Sequence, residues 1–483
     1  MSIPNFTHLN ELASERNGGK ILFSTDDWFA TAENLLKEED VEWKENLFTS
    51  NGKWMDGWET RRKRIAGHDW TIIALGRSSV IKGICVDTAF FTGNHAPRFS
   101  IQAARLTPQE ENAFPKRFSQ LGSAASDKDL KTMTDLKTEE WTTLIPMTKL
   151  QPGYPETRKH YVEIMSEEKW THLRLNIFPD GGIARLRVYG FAKPEWHAVN
   201  SNTLIDLLSI ENGGVCMGFS DAHYGHPKNL IKPGRGINMG DGWETARKHD
   251  RPPIIKLDSN GIIKSYGDEW ALFKLGHVGK ISSIHVDTIH FKGNYPQNIK
   301  VEGALVSSDE NIKDVKWKLL LTPQKLFPDQ EHNFELNDRI ENDPINYVKI
   351  SIAPDGGISR VRICGFIQPN WNAVNNNNLI DLVSIENRDV CRGIMNAHYG
   401  VSKNLIKPSR ELIKGNHAEN IQVERVIVSC EKNVQDVNWK FLLPLQKLFP
   451  DKEHNFELND RNENGSINYV IVSIAPDGSI SRV

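Results

Sequence analysis

Cysteine is scarce and unpatterned in this chain. The five cysteines, Cys85, Cys216, Cys364, Cys391 and Cys430, are odd in number, scattered, and form no Cys-x-x-Cys pair. That argues against a disulfide frame and a thiolate zinc centre, and suits a reducing compartment. Long apolar runs are missing as well: no stretch approaches the roughly 20 residues that cross a bilayer. The opening residues, MSIPNFTHLNELASERNGGK, lack the hydrophobic core of a secretory signal. Neither sign of charge dominates. A net charge of −3 over 483 residues gives no overall basic field for nucleic acid or an acidic membrane. There is no Gly-rich phosphate loop, no Gly-x-Ser-x-Gly elbow and no His-Glu-x-x-His. His223, His226 and His249 share a region but lack tight ligand spacing. The last three residues, Ser481-Arg482-Val483, are not a Ser-Lys-Leu peroxisomal address.

What the chain does contain is itself, repeated. Apolar residues at 39% and charged residues at 25% are the balance of a globular protein, and the length calls for two or three domains. Lys53-Trp-Met-Asp-Gly-Trp-Glu-Thr-Arg61 returns as Asn238-Met-Gly-Asp-Gly-Trp-Glu-Thr-Ala-Arg247. Val86-Asp-Thr-Ala-Phe-Phe-Thr-Gly-Asn94 returns as Val286-Asp-Thr-Ile-His-Phe-Lys-Gly-Asn294. Pro179-Asp-Gly-Gly-Ile-Ala-Arg-Leu-Arg187 returns as Pro354-Asp-Gly-Gly-Ile-Ser-Arg-Val-Arg362. Three blocks in one order predict two homologous domains, 18–195 and 202–368, after an N-terminal tail of 1–17. A third copy, 372–483, is damaged. Its offset from copy two drops from 175 to 122 after Arg410, so about 53 residues of its middle are absent.

The segments between these blocks are short and rich in β-branched residues. Trp70-Thr-Ile-Ile-Ala-Leu75, Gly83-Ile-Cys-Val-Asp87 and Ala184-Arg-Leu-Arg-Val-Tyr189 read as strands, punctuated by Gly, Asn, Pro and Asp. Lys128–Lys137 is the one candidate helix, in an insertion. Many short strands per copy predict an all-β fold of sandwich or jelly-roll type, with ligand loops gathered at one end.

Each repeated block has a structural and a functional reading. In Asp56-Gly-Trp-Glu59-Thr-Arg61-Arg62 and Asp241-Gly-Trp-Glu244-Thr-Ala-Arg247, the Trp fills a core and the charged residues either pair with each other or serve a substrate. In the serving case Arg61, Arg62 or Arg247 forks a carboxylate while Asp56, Glu59, Asp241 or Glu244 moves protons. Asp87, Asn94 and His95, with Asp287, His290 and Asn294 in copy two, end an apolar strand at a Gly-Asn turn. They either stabilise that turn or aim into a pocket. His95 is replaced by Tyr295, and Phe90 by His290, so the two copies need not share their chemistry equally. The Pro-Asp-Gly-Gly block is a hairpin signal, and Arg185 and Arg360 just beyond it are candidate anion binders.

Together with Gly19-Lys-Ile-Leu-Phe-Ser-Thr-Asp-Asp-Trp28 near the start, these blocks resemble the allantoicase family from about Gly18 to Phe366. The resemblance implies tandem jelly-roll β-sandwiches of the galactose-binding-like type and the hydrolysis of allantoate to ureidoglycolate and urea. It implies allantoate as the small-molecule partner, no nucleic-acid or membrane partner, and leaves room for a homo-oligomer. It calls for no cofactor and leaves a divalent metal open. The implied compartment is the cytoplasm, or the peroxisome by a route other than the C-terminal tripeptide. That hydrolysis needs an acid and a base, and the repeated blocks offer Asp56, Glu59 or His95 in copy one and Asp241, Glu244 or His290 in copy two. The candidate substrate binders in the same blocks are Arg61, Arg62, Asp87, Asn94, Arg185, Arg247, Asp287, Asn294 and Arg360. The damaged third copy departs from the family's pattern. Two other readings compete: an allantoicase-like binding protein without catalysis, and a structural or interaction β-sandwich protein.

Overall fold

The computed structural model describes residues 3–196, 199–200, 202–249, 255–263, 268–306, 312, 314–336 and 343–368, and strands at 420–426, 440–447 and 469–475. Cys391, Cys430 and most of the third copy lie outside the described residues. Two compact units result. Met1–Glu195 with Val199–Ala373 forms the first, and Trp196–Ala198 with Val374–Val483 the second.

The first unit holds two jelly-roll sandwiches, one per complete repeat. Repeat one contributes β1 (Lys20–Ser24), β2 (Asp69–Asp87), β3 (Arg98–Ala104), β4 (Thr142–Lys149), β5 (Lys159–Glu163), β6 (Lys169–Phe178) and β7 (Arg185–Ala192). The runs Trp70–Leu75 and Gly83–Asp87, which read as separate strands, are one 19-residue strand. Its first half pairs with β1 and β6, and its second half with β5 and β7. Register shifts fall between the halves, around Gly76-Arg77-Ser78. There a Cβ on Gly76 would lie 1.8 Å from the Asn17 carbonyl oxygen, so glycine alone permits the close approach. A strand that changes sheet in this way stitches the two layers together. The core lies between them: Ile73, Ile84, Val86, Phe99, Leu173, Leu175, Leu186 and Val188 are fully or almost fully buried. The polar–apolar alternation of β7 supplies Leu186 and Val188 inward and Arg187 and Tyr189 outward.

Repeat two copies this plan with β8 (Val215–Phe219), β9 (Glu269–Asp287), β10 (Asn298–Ala304), β11 (Lys318–Lys325), β12 (Glu331–Glu335), β13 (Ile345–Ala353) and β14 (Arg360–Ile367). The strand order is the same in both repeats. The helix expected at Lys128–Lys137 is present at Asp127–Asp135, capped by the Ser126 hydroxyl accepting from the Asp129 N–H. Residues 10–11, read as tail, are an edge strand on β7, and copy two has the same edge strand at Ile205–Asp206. Polar bonds join the repeats. Asn10 Nδ2 donates to the Gly214 carbonyl (2.7 Å), and Lys228 Nζ to those of Thr7 and Leu9.

In the second unit the described strands β15 (Asn420–Val426), β16 (Lys440–Lys447) and β17 (Tyr469–Ala475) form a sheet with β15 in the centre. Asn420 pairs with Lys447 as Asn298 pairs with Lys325, so these strands reproduce β10, β11 and β13 of repeat two.

Candidate active site

The first and third repeated blocks meet in one corner of each sandwich. Trp58–Glu59 pairs with Gly182–Ile183, and Trp243–Glu244 with Gly357–Ile358. Both tryptophans are fully buried. Each indole N–H is satisfied by a backbone carbonyl, that of Asp26 or Asp221, at 2.8 Å. A Cβ on Gly57 would lie 2.6 Å from the Ile183 carbonyl oxygen and one on Gly242 2.7 Å from that of Ile358, which explains the glycine after each aspartate.

The block's charged residues divide into buried and accessible sets. Asp56 accepts from Arg185 at 2.6 Å and from Lys37 at 3.1 Å. Asp241 accepts from Arg360 at 2.7 Å and from Lys232 at 3.2 Å. Burial pushes both carboxyls upward, but the arginine and lysine outweigh it and hold them below the usual carboxylate range. Arg185 and Arg360 also donate to the carbonyls of Asp56 and Ala184, and of Asp241 and Ser359. These pairs brace the corner. Glu59 and Glu244 are only half-buried, and each accepts from the matching Asn94 or Asn294 amide. Arg61 binds Asp26 at 2.7 Å and lies over the Trp28 ring. Arg62 and Arg247 are exposed. Burial lowers the pKa of His95, whose Nδ1 is buried without a partner. His290 sits at a φ of 76° and donates from Nε2 to the Gly236 carbonyl.

The outward face of the other sheet separates the two copies. In repeat two, cross-strand register aligns Arg360, Asp287 and Glu331 in one row, and Arg362, His285 and Asn333 in the next. In repeat one the same rows read Arg185, Asp87, Lys159 and Arg187, Cys85, Tyr161. There Arg158 forks Asp87, with Nε at 2.9 and 3.1 Å from its two oxygens. Phe6 packs against Tyr161 and Tyr189 and over Gly83, where a Cβ would lie 2.3 Å from its ring. The face is closed. In repeat two, Ser283 replaces Gly83, Asn333 replaces Tyr161 and Cys364 replaces Tyr189. The result is a cavity of about 510 Å³ lined by both rows together with Asp206, Arg235 and Cys364.

Charged groups crowd this cavity. Asp287 is 7% exposed and lacks an arginine fork; its Oδ1 accepts the Ile289 N–H at 2.7 Å. Burial raises its pKa, with the nearby Glu331 charge acting the same way, against the Ile289 N–H and the arginines. Arg360 Nε is buried and has no hydrogen-bond partner, whereas Arg185 Nε in repeat one donates to the Glu39 carbonyl. Arg235, largely exposed, pairs with Glu331 at 2.6 Å. Arg362 donates to the carbonyls of Lys232 and Gly234 at 2.7 Å, fixing the loop that carries Arg235. Burial pushes the Cys364 thiol up to about 11, so it is no ready nucleophile. Among the described residues no group of three or more His, Cys, Asp or Glu converges as a metal site.

The structure therefore brings Asp287 and Arg360 to one cavity, gathers Asp56 with Arg185 and Asp241 with Arg360 in buried corners, and places Glu59 with Asn94 and Glu244 with Asn294 elsewhere. Sequence reasoning missed Arg235, Glu331, His285, Asn333 and Asp206, because cross-strand neighbours far apart in sequence carry no local motif. The alternation Arg360-Val-Arg362 was the available signal for Arg362.

A family model described as the allantoicase repeat matches residues 10–193, 205–368 and 410–483. A protein of Pseudomonas fluorescens named probable allantoicase is 42% identical over 367 residues, 75% of this chain and 98% of that protein. Another of that name, from Pseudomonas paraeruginosa, is 42% identical over 364 residues, covering 74% and 96%. Among solved structures, the allantoicase of Saccharomyces cerevisiae is 34% identical with a TM-score of 0.56, over 74% of this chain and 93% of that one.

Proposed function

The chain belongs to the allantoicase family, and from that premise we propose that it hydrolyses allantoate to ureidoglycolate and urea in the cavity of repeat two. One observation supports this choice of site above the others. The two-row polar face is open in repeat two and closed by Phe6, Tyr161 and Arg158 in repeat one, and only the open copy carries a buried, unpaired arginine N–H.

Allantoate presents one carboxylate and two ureido groups on a single carbon. Arg235 and the cavity-lining guanidinium of Arg360 hold the carboxylate. The Asn333 amide nitrogen and Asp206 offer hydrogen-bonding edges to the ureido groups, with Asn333 held by His285 Nδ1 at 2.6 Å from its Oδ1. Asp287, which its surroundings push toward the protonated form, gives its proton to the departing urea nitrogen as the bond to the central carbon breaks. The nitrogen of the remaining ureido group supplies the electron pair that stabilises that carbon. Water then adds to it and returns a proton to Asp287. Asp56, Asp241 and Arg185 brace the fold in this scheme, while Arg61, Arg62, Arg247, Asp87, His95 and His290 lie outside the cavity.

The test is urea release from allantoate by the full chain and by Arg235→Ala. The native chain releases urea, and the variant raises KM about tenfold, as expected for losing one charge-assisted contact at an exposed guanidinium. No urea from the native chain overturns the activity. Release with an unaltered KM in the variant overturns the site.

A further inference from the structure

A second cavity, of about 300 Å³, lies at the loop end of repeat one and is independent of the catalytic face. Its floor is Glu59, whose Oε1 accepts the Asn94 amide at 2.6 Å. Its walls are Phe29, Trp43 and Phe90. Trp43 and Phe90 are 48% and 37% exposed, with ring centroids 5.5 Å apart and planes 31° from parallel. The two rings form one exposed aromatic patch beside the Glu59 carboxylate.

Repeat one builds this feature and repeat two does not. Eighteen residues separate Lys37 from Asp56, and eight separate Lys232 from Asp241. The extra length in copy one carries Trp43 and the small hairpin Phe48–Thr49 with Gly52–Lys53. Lys53 stiffens the loop. Its ammonium donates to the carbonyls of Lys44 and Glu45 and lies over the rings of Trp43 and Phe48. Phe90 sits at a φ of 66°, as its counterpart His290 does at 76°, and from that shared turn its ring meets Trp43. In repeat two the corresponding Glu244–Asn294 pair meets Met239 in place of aromatic rings.

We propose that this cavity binds a neutral, flat ureide ring, one N–H donated to Glu59 and one face laid against the Trp43–Phe90 pair. The Glu59 carboxylate retains acceptor capacity beyond the Asn94 bond, and an acidic imide-type N–H of the ring suits it. Flat faces suit the paired aromatic walls. Lys53, the cation of the lining, is committed to two carbonyls, so an anion meets the Glu59 charge without compensation. The anionic substrate is therefore refused and a neutral ring admitted. The assignment does not depend on the location of the catalytic site.

The experiment is titration of the full chain with hydantoin, followed by calorimetry or by ligand-observed NMR, with methyl glucoside and tetramethylammonium in parallel. Hydantoin binds saturably, Trp43→Ala weakens it about tenfold, and allantoate turnover by that variant stays at the native rate. Absence of saturable hydantoin binding overturns the proposal, as does binding indifferent to Trp43→Ala. Binding of the glycoside alone makes the site one for polyols, and of tetramethylammonium alone one for cations; either result also overturns it. Unaltered turnover shows that the variant is folded, and a loss of urea release by the native chain would bear on the catalytic reading only.

Discussion

Asp287→Asn separates chemistry from stability at the proposed site. Asparagine keeps an oxygen for the Ile289 N–H, now accepted by Asp287 Oδ1 at 2.7 Å, but can neither give nor take the proton. General acid–base catalysis by one positioned group is worth about 10²–10⁴ in rate, so kcat for urea release falls by that factor, about 2.7–5.5 kcal/mol of barrier. Stability moves the other way. The folded state raises the Asp287 pKa, by burial first and by the Glu331 charge as well, so its ionised form is disfavoured in the fold. A carboxyl raised on folding contributes stability below its unfolded pKa of about 4, and that contribution is lost as pH rises through the folded value. Once pH passes the folded value the native chain carries an unfavourable buried charge that the variant lacks. The variant's melting temperature at pH 7 is therefore equal to or above the native one, and the difference disappears below about pH 4. Urea release and thermal unfolding at both pH values check this. A variant of native turnover refutes the proton role. One that loses turnover together with melting temperature at pH 7 shows that Asp287 is structural.

Three further outcomes follow from the same contrasts. Asp87→Asn weakens the Arg158 fork in repeat one, so it lowers the melting temperature while KM and kcat for allantoate stay native; equal catalytic damage from both aspartates would contradict the one-site reading. Asp241→Asn uncouples a buried pair with Arg360 and costs about 3 kcal/mol at neutral pH. Because Arg360 and Lys232 depress the Asp241 pKa against burial, that stabilisation is present above about pH 4 and lost as pH falls through the lower folded value, so native and variant denaturation curves converge in acid. A chain ending at residue 368 retains native urea release, since every residue of the proposed site lies between 206 and 364; inactivity of that chain, correctly folded, would implicate the third copy.

Much of the architecture was legible because duplication repeats local signals. Asp-Gly-Trp-Glu and Pro-Asp-Gly-Gly recur because each repeat needs the same corner: a glycine pressed on a carbonyl, a buried indole with its N–H satisfied, and an aspartate answered by an arginine about 120 to 130 residues away. Those requirements are local in space and conspicuous in sequence. The sheet switch inside Asp69–Asp87 was not legible, since Gly76-Arg77-Ser78-Ser79 reads as a turn between two strands when the neighbours that bridge it are unknown. The site was legible only in part. Asp287 and Arg360 belong to repeated blocks, but the partners that distinguish them from Asp87 and Arg185 sit on other strands.

That distinction bears on why the conspicuous residues and the reactive ones differ. A residue needed by both copies for folding recurs in both, so a search for repeats finds the brace before the chemistry. The proposed active face is defined by where the copies disagree: Ser283 for Gly83, His285 for Cys85, Asn333 for Tyr161, Glu331 for Lys159 and Cys364 for Tyr189. Four of the changes remove a ring, a buried thiol or the room for Phe6, the fifth, Glu331 for Lys159, reverses a charge, and all fall on one outward face. Five divergent positions converging on one cavity are unexpected if both faces merely hold the sandwich, because a structural face gains nothing from exchanging packed rings for an open, polar surface around an unpaired arginine N–H. Restoring the closed face should therefore abolish the site without harming the fold. In Asn333→Tyr combined with Cys364→Tyr, two rings occupy the space they hold in repeat one, urea release is lost, and the melting temperature does not fall. Native turnover in that double variant would place the reaction elsewhere in the molecule.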